Sequence, residues 1–216
     1  PLSIIWLAVP LAGTVAAASI SPIGPFDYWW HLVMGRYIDV VGALPDENGF
    51  LYTLPADVEF FDQPWLAQWL MFRIRRATGE SGLIITRNVI VAVTWVAILW
   101  GAVRRSFSPR IVGICAMLGV LLSGKIYGVR TQMFALLPYA ILLIVLVELA
   151  QRRLERHSVW ILVLLGIFWG NVHGSFVLLP VLTGLVGLGV VCHHWLEHRE
   201  VSRDRSITWG LAWVAS

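Results

Sequence analysis

FDYWWHLVMGRYIDVVGALPDENGFLYTLPADVEFFDQPWLAQWLMFRIRRATGESG, residues 26–82, is the one long stretch of this chain that is not a plain apolar run. Eight of the thirteen acids lie in it: Asp27, Asp39, Asp46, Glu47, Asp57, Glu59, Asp62 and Glu80. On either side the chain turns into hydrophobic spans joined by short basic connectors. An acid-bearing segment set among such spans decides the fold: amphipathic helices held at one surface, a helical bundle below them, and any chemistry centred on the segment.

Composition agrees. The mean hydropathy is +0.75, with 58% apolar and 13% charged residues, against about 25% charged in soluble domains. This is the profile of an integral membrane protein. The apolar runs approach the roughly 20 residues of a spanning helix and lack the period-two alternation of a membrane barrel, so the class is an all-α bundle. The net charge of +3 does not point to nucleic acid, because the arginines stand in blocks between spans as topology signals do. Neither GxGxxG nor GxxxxGK[ST] occurs, which leaves a nucleotide-driven mechanism without support. Cys115 and Cys192 fall inside spans without metal or redox spacing and read as small buried apolar residues.

The spans are placed at 2–20, 83–103, 111–124, 131–150, 158–170 and 175–192, with a further one starting at 206–216. Six to seven spans result, with a first outer loop over 26–82. Residues 1–216 read as a single transmembrane domain, the N-terminal part of a longer protein. Inside the loop, residues 28–41 gather Trp29, Leu32, Val33, Tyr37, Val40 and Val41 near one face of a short amphipathic helix, with His31, Arg36 and Asp39 elsewhere. GALPDENG is a turn cluster, and a second amphipathic helix is expected over 63–78. The connectors RRSFSPR, QRRLERH and HHWLEHREVSRDR hold nine arginines, whereas GKIYGVR and GNVHG hold one Lys and one Arg. The positive-inside rule then puts the N-terminus in the cytoplasm and the 20–82 loop, GKIYGVR and GNVHG on the outer face.

Candidate chemistry collects on that face. Asp27 precedes His31 by four residues, so a helical turn brings both side chains to one side. Such a pair can take a proton from a hydroxyl or help hold a divalent metal; the plainer alternative is that Asp27 caps the helix beginning at Tyr28. Asp46 and Glu47 form a second pair of acids, which a solvated turn also explains. Arg130, with Gln132 beside it, suits a lipid phosphate or simple headgroup anchoring. Asn171 and His173 sit in a turn that a run of about 35 residues keeps at membrane depth; they face a cavity or satisfy the turn's own backbone.

Taken in order, DYWWHLVMGRYIDVVGALPDENGF, QPWLAQWL, GLIITRNV, RTQMFALLPYAILL and WGNVHGSF resemble a group of bacterial multi-spanning membrane proteins, over nearly the whole chain. That group in turn resembles the GT-C superfamily of membrane glycosyltransferases. The resemblance implies an inner-membrane protein that transfers a sugar from a polyprenyl-phosphate donor to an acceptor on the outer face. It implies Asp27 as catalytic or metal-binding acid, Asp46 or Glu47 as a second acid, Arg130 as the donor-phosphate contact, and a divalent metal, magnesium or manganese. Two departures stand out: Thr131 where the group's pattern has proline after arginine, and Gln68 in a stretch where an acid is expected. The alternative of a different class is a non-catalytic subunit of a larger membrane complex, its twelve tryptophans serving as anchors and contact surface. In that reading His31 or His173 is a lone candidate ligand for a pigment or haem. A transporter has less support, because no broken span recurs in two halves.

Overall fold

The structure, a computed structural model, describes residues 2–24, 27–47, 49, 53, 55, 57–105, 107–123, 127–151, 159–198 and 203–216. It consists of α1 (Leu2–Ile20), α2 (Tyr28–Val41), α3 (Trp65–Arg104), α4 (Pro109–Leu122), α5 (Leu136–Ala150), α6 (Trp160–Gly170), α7 (Leu178–His198) and α8 (Arg203–Ala215). Short 3-10 turns at Thr131–Ala135 and Gly174–Val177 lead into α5 and α7. Among the described residues there is no strand, only one isolated bridge between Glu47 and Glu59.

Among the described residues, four helical stretches are long and apolar enough to cross a bilayer: Ser3–Ile20, Trp65–Arg104, Thr131–Ala150 and Gly174–His198. The expectation of six to seven spans is therefore met only coarsely. α4 and α6 have 14 and 11 residues, and at 1.5 Å per residue they fall short of a hydrocarbon core of about 30 Å. α8 has 13. The start of the 158–170 span and the arginines at 152, 153, 156 and 199 that oriented the chain lie outside the described residues.

The expected break between amphipathic helix and span is present inside α3. Gly79 has φ 71° and ψ −168°, a backbone state that L side chains avoid. Nothing lies within 4 Å of where its Cβ would be, so conformation and not space calls for glycine. The part before Gly79 packs on α2. The two helices come close at Gly35, where a Cβ would collide with the backbone carbonyl of Gln68. Further along, Asp39 accepts from Trp69 Nε1 at 3.2 Å, Arg73 Nη1 at 3.2 Å and Arg76 Nη1 at 3.0 Å.

This packing corrects the expected face of α2. Tyr28, His31, Leu32, Met34, Gly35 and Ile38 are buried, while Trp29, Val33, Val40 and Val41 are exposed. The helix has an outward apolar face and a second, partly polar face turned to α3, and one apolar stripe read from spacing had merged them. Cys115 and Cys192 are likewise exposed and free, not buried. In helices with apolar surroundings, an outward position is no penalty for a small apolar thiol.

The main core joins α2, α3, α5, α6 and α7 around residues such as Met71, Leu83, Leu142, Leu162, Trp169 and Leu179. At one end of it Arg105, just past α3, pairs with Glu148 in the last turn of α5 at 2.9 Å. The other end, where α2, the start of α3 and the approaches to α5 and α7 meet, holds the polar cluster described next.

Candidate functional site

Asp27 stands immediately before α2 in the N-cap position, but its side chain makes no cap hydrogen bond. It reaches across the fold instead. Arg130 Nη2 donates to Asp27 Oδ2 at 2.5 Å, linking residues 103 apart in sequence. His31 Nε2 lies 3.5 Å from the same oxygen, as the four-residue spacing on a helix allows. The pair is partly open: the Arg130 and Asp27 side chains are 46% and 34% exposed.

Behind this pair a buried polar chain runs into the protein. The Gln68 amide donates to Asp62 Oδ1 at 2.9 Å and stands 3.3 Å from His31 Nδ1. With the amide nitrogen as donor, Nδ1 accepts, and the neutral ring carries its proton on Nε2, toward Asp27. Four buried atoms along the chain have no hydrogen-bond partner: Asp27 Oδ1, His31 Nε2, Gln68 Oε1 and Asp62 Oδ2. Buried polar atoms are seldom left unpaired, so such a row marks a place where water or a ligand's polar groups belong. Asp62 and Gln68 carried no role in the sequence reading, although Asp62 was among the segment's acids and Gln68 marked a departure from the resembling group.

The titration of these groups follows from their surroundings. Burial pushes the Asp27 carboxyl up, but the Arg130 hydrogen bond and the charges of His31 and Arg130 outweigh it, and the group ends below the ordinary carboxylate range. Burial lowers His31, and Asp27 only partly opposes this, so the imidazole is held neutral more strongly than usual. Burial raises Asp62 against the pull of Gln68. His173 is lowered by burial and by the charge of Arg130, which places it within electrostatic reach of the pair.

The turn at Asn171–His173 meets the same region, but its polar groups serve the turn. Trp65 Nε1 donates to Asn171 Oδ1 at 2.6 Å, and Asn171 Nδ2 donates to Ile167 O at 2.6 Å. Leu66 N donates to Asn171 O at 3.1 Å, and Gln63 Nε2 donates to Gly170 O. His173 Nδ1 accepts from Ser175 N at 3.0 Å, capping the 3-10 turn before α7. The turn is thereby docked onto the QPW start of α3. Gln132 is exposed in the 3-10 turn beside Arg130.

Asp46 and Glu47 are elsewhere. Both are exposed; the Asp46 carbonyl accepts from Phe60 N at 2.9 Å, and Glu47 bridges Glu59. Among the described residues no hydrogen bond or ion pair ties them to Asp27, and no three His, Cys, Asp or Glu side chains converge to hold a metal. Asp27 and His31 supply two donors with a guanidinium against one of them, a poor fit for a hard divalent cation that wants several oxygen ligands.

One further residue holds the cluster together. Arg87, in the middle of α3, is fully buried. Its guanidinium donates to Ser21 O at 3.0 Å and Tyr127 O at 2.9 Å, and also to Ala18 O. The first and last of these carbonyls end α1, where a cation is favoured by the helix dipole. Arg87 thus ties down both the connector that leads to Asp27 and the one that leads to Arg130. In sequence it is only a lone charge in an apolar run, and the signal that remained was its rarity there.

Comparison with protein-family models, with curated proteins and with solved structures found no match for this chain.

Proposed function

We propose that this chain is a glycosyltransferase-like membrane protein that moves a sugar from a polyprenyl-phosphate donor to an acceptor hydroxyl at the outer face of a bacterial inner membrane. The reading rests on sequence resemblance, and one observation supports it best: Asp27, placed to cap α2, leaves that role and joins Arg130 and His31 in a half-open cluster backed by unpartnered polar atoms. In this reading a donor phosphate replaces Asp27 as partner of the Arg130 fork, which presents paired donors suited to phosphate. The freed Asp27 carboxylate accepts the acceptor's hydroxyl proton as the new bond to the sugar carbon forms. The bond from that carbon to the phosphate oxygen breaks, and the polyprenyl phosphate leaves with its charge on Arg130. His31, whose Nε2 stands 3.5 Å from the carboxylate, closes on it to orient it, and Gln68 holds the ring.

The test is transfer from a panel of radiolabelled polyprenyl-phosphate sugars in proteoliposomes, comparing the parent protein with Asp27→Asn. Transfer by the parent and its loss in the variant is the expected result. A second reading has its own support, because the mutual pairing of Asp27 and Arg130 also suits a structural tie. As a non-catalytic subunit the chain would offer the exposed Trp29, Val33, Val40 and Val41 face of α2 to another membrane protein. Folded protein that turns over no donor and copurifies stoichiometrically with a membrane complex favours that reading.

A further inference from the structure

A crease between α1 and α4 plays no part in the cluster above. The two helices touch where Gly113 meets Trp6, a Cβ on Gly113 colliding with the Trp6 carbonyl. Beside this contact Ile5, Val9, Pro10, Ile114, Met117 and Leu118 line a recess of about 300 Å³. Val9, Ile114 and Leu118 are each about half exposed. The Arg110 guanidinium lies over the Trp6 ring, 5.7 Å from its centroid, and is itself exposed. Arg110 belongs to the first turn of α4. There Ser108 makes no side-chain cap bond and Pro109 has no N–H, so the positive end of the helix faces outward uncapped.

Apolar crease, exposed cation and uncapped helix start meet in one place, and each suits a different part of one molecule. We propose that the crease binds an anionic glycerophospholipid, with an acyl chain lying along Val9, Pro10, Ile114 and Leu118 and the phosphate on Arg110 at the start of α4. The exposed cation argues for a lipid and not a further helix, because an apolar helix in the crease would leave the Arg110 guanidinium without an anionic partner. A zwitterionic lipid fills the crease equally well but gains less from the cation; the net anionic charge makes the difference. One surface arginine adds about 1 kcal/mol for anionic lipid, or about fivefold in partitioning.

The experiment uses proteoliposomes carrying brominated acyl chains, on either phosphatidylglycerol or phosphatidylcholine. Bromine quenches tryptophan on contact, and the share of Trp6 among the twelve tryptophans is the difference between the parent and Trp6→Phe. Half-quenching of that share at about fivefold lower mole fraction of phosphatidylglycerol is expected, with the preference lost in Arg110→Gln and contact with phosphatidylcholine retained. Equal quenching by both lipids, or a preference that survives Arg110→Gln, would show ordinary bulk lipid contact and overturn the site. If Trp6→Phe does not fold, native mass spectrometry decides: Arg110→Gln should lose retained phosphatidylglycerol, and unchanged retention contradicts the proposal.

Discussion

Among the arginine–carboxylate pairs of the described residues, the two that stand at opposite ends of the core, Arg105–Glu148 and Arg130–Asp27, are built differently. Arg105 and Glu148 meet at 2.9 Å with both side chains 8% exposed, and the two Nη groups of Arg105 also donate to the Gly101 and Ile144 carbonyls, leaving only its buried Nε unpartnered. Arg130 and Asp27 meet just as closely but stand 46% and 34% exposed, with unpartnered polar atoms behind them. Burial makes the first pair a tie between α3 and α5 whose partners depend on each other. Exposure makes the second pair weak as a tie, because water screens it and competes for both groups. A charge pair expected to contribute little to stability, yet assembled from residues 103 apart and backed by buried polar groups, fits the proposed chemistry better than a purely structural tie.

The strongest way to break this contrast is at the buried pair. Glu148→Ala leaves Arg105 charged and unpaired, so unfolding in mixed detergent micelles should show a loss of about 3–5 kcal/mol. A change below about 1 kcal/mol would mean that the two pairs do not differ as described. Arg87→Met comes next. It strips donors from the carbonyls of Ala18, Ser21 and Tyr127, each worth about 1–3 kcal/mol if left bare, but it also removes a buried cation, so the net loss should be about 2 kcal/mol in the same titration. A smaller effect is expected from acid. His31 and His173 are both lowered in the folded state, so the unfolded chain binds more protons below its own histidine pKa of about 6.5. Stability is then full above that pH and is lost as pH falls from it toward the folded values. Melting midpoints measured from pH 7.5 to 5.5 should decline, and less so in His31→Gln; a flat profile would mean that these rings are not held neutral.

Much of the fold could be read from the chain, and the reasons are visible in single residues. α1 carries no charge and the stretch over 131–150 only Glu148, and the change from an amphipathic helix over 63–78 to a span at 83 placed a break near Gly79. What periodicity did not separate was lipid from protein as a neighbour: in a membrane chain both favour apolar side chains, so the faces of α2 and the exposure of Cys115 and Cys192 had to come from packing. Span number is met only in part for a related reason, since apolar composition does not record how short a helix is, and among the described residues α6 has 11. For the site, the spacing of Asp27 and His31 was legible because it is local. Their links to Arg130, Gln68 and Asp62 depend on tertiary contacts between distant segments, and Asp46 and Glu47 attracted notice only as neighbouring acids.

The most direct measurement is a pair of assays on Asp27→Asn: unfolding in mixed micelles and sugar transfer in proteoliposomes, with Glu148→Ala carried alongside. Asp27→Asn should lose no more than about 1 kcal/mol of stability while transfer by the parent disappears, and Glu148→Ala should lose stability first. An Asp27→Asn protein as unstable as Glu148→Ala, or one that still transfers sugar at the parent's rate, would contradict the claim that the exposed pair is kept for chemistry.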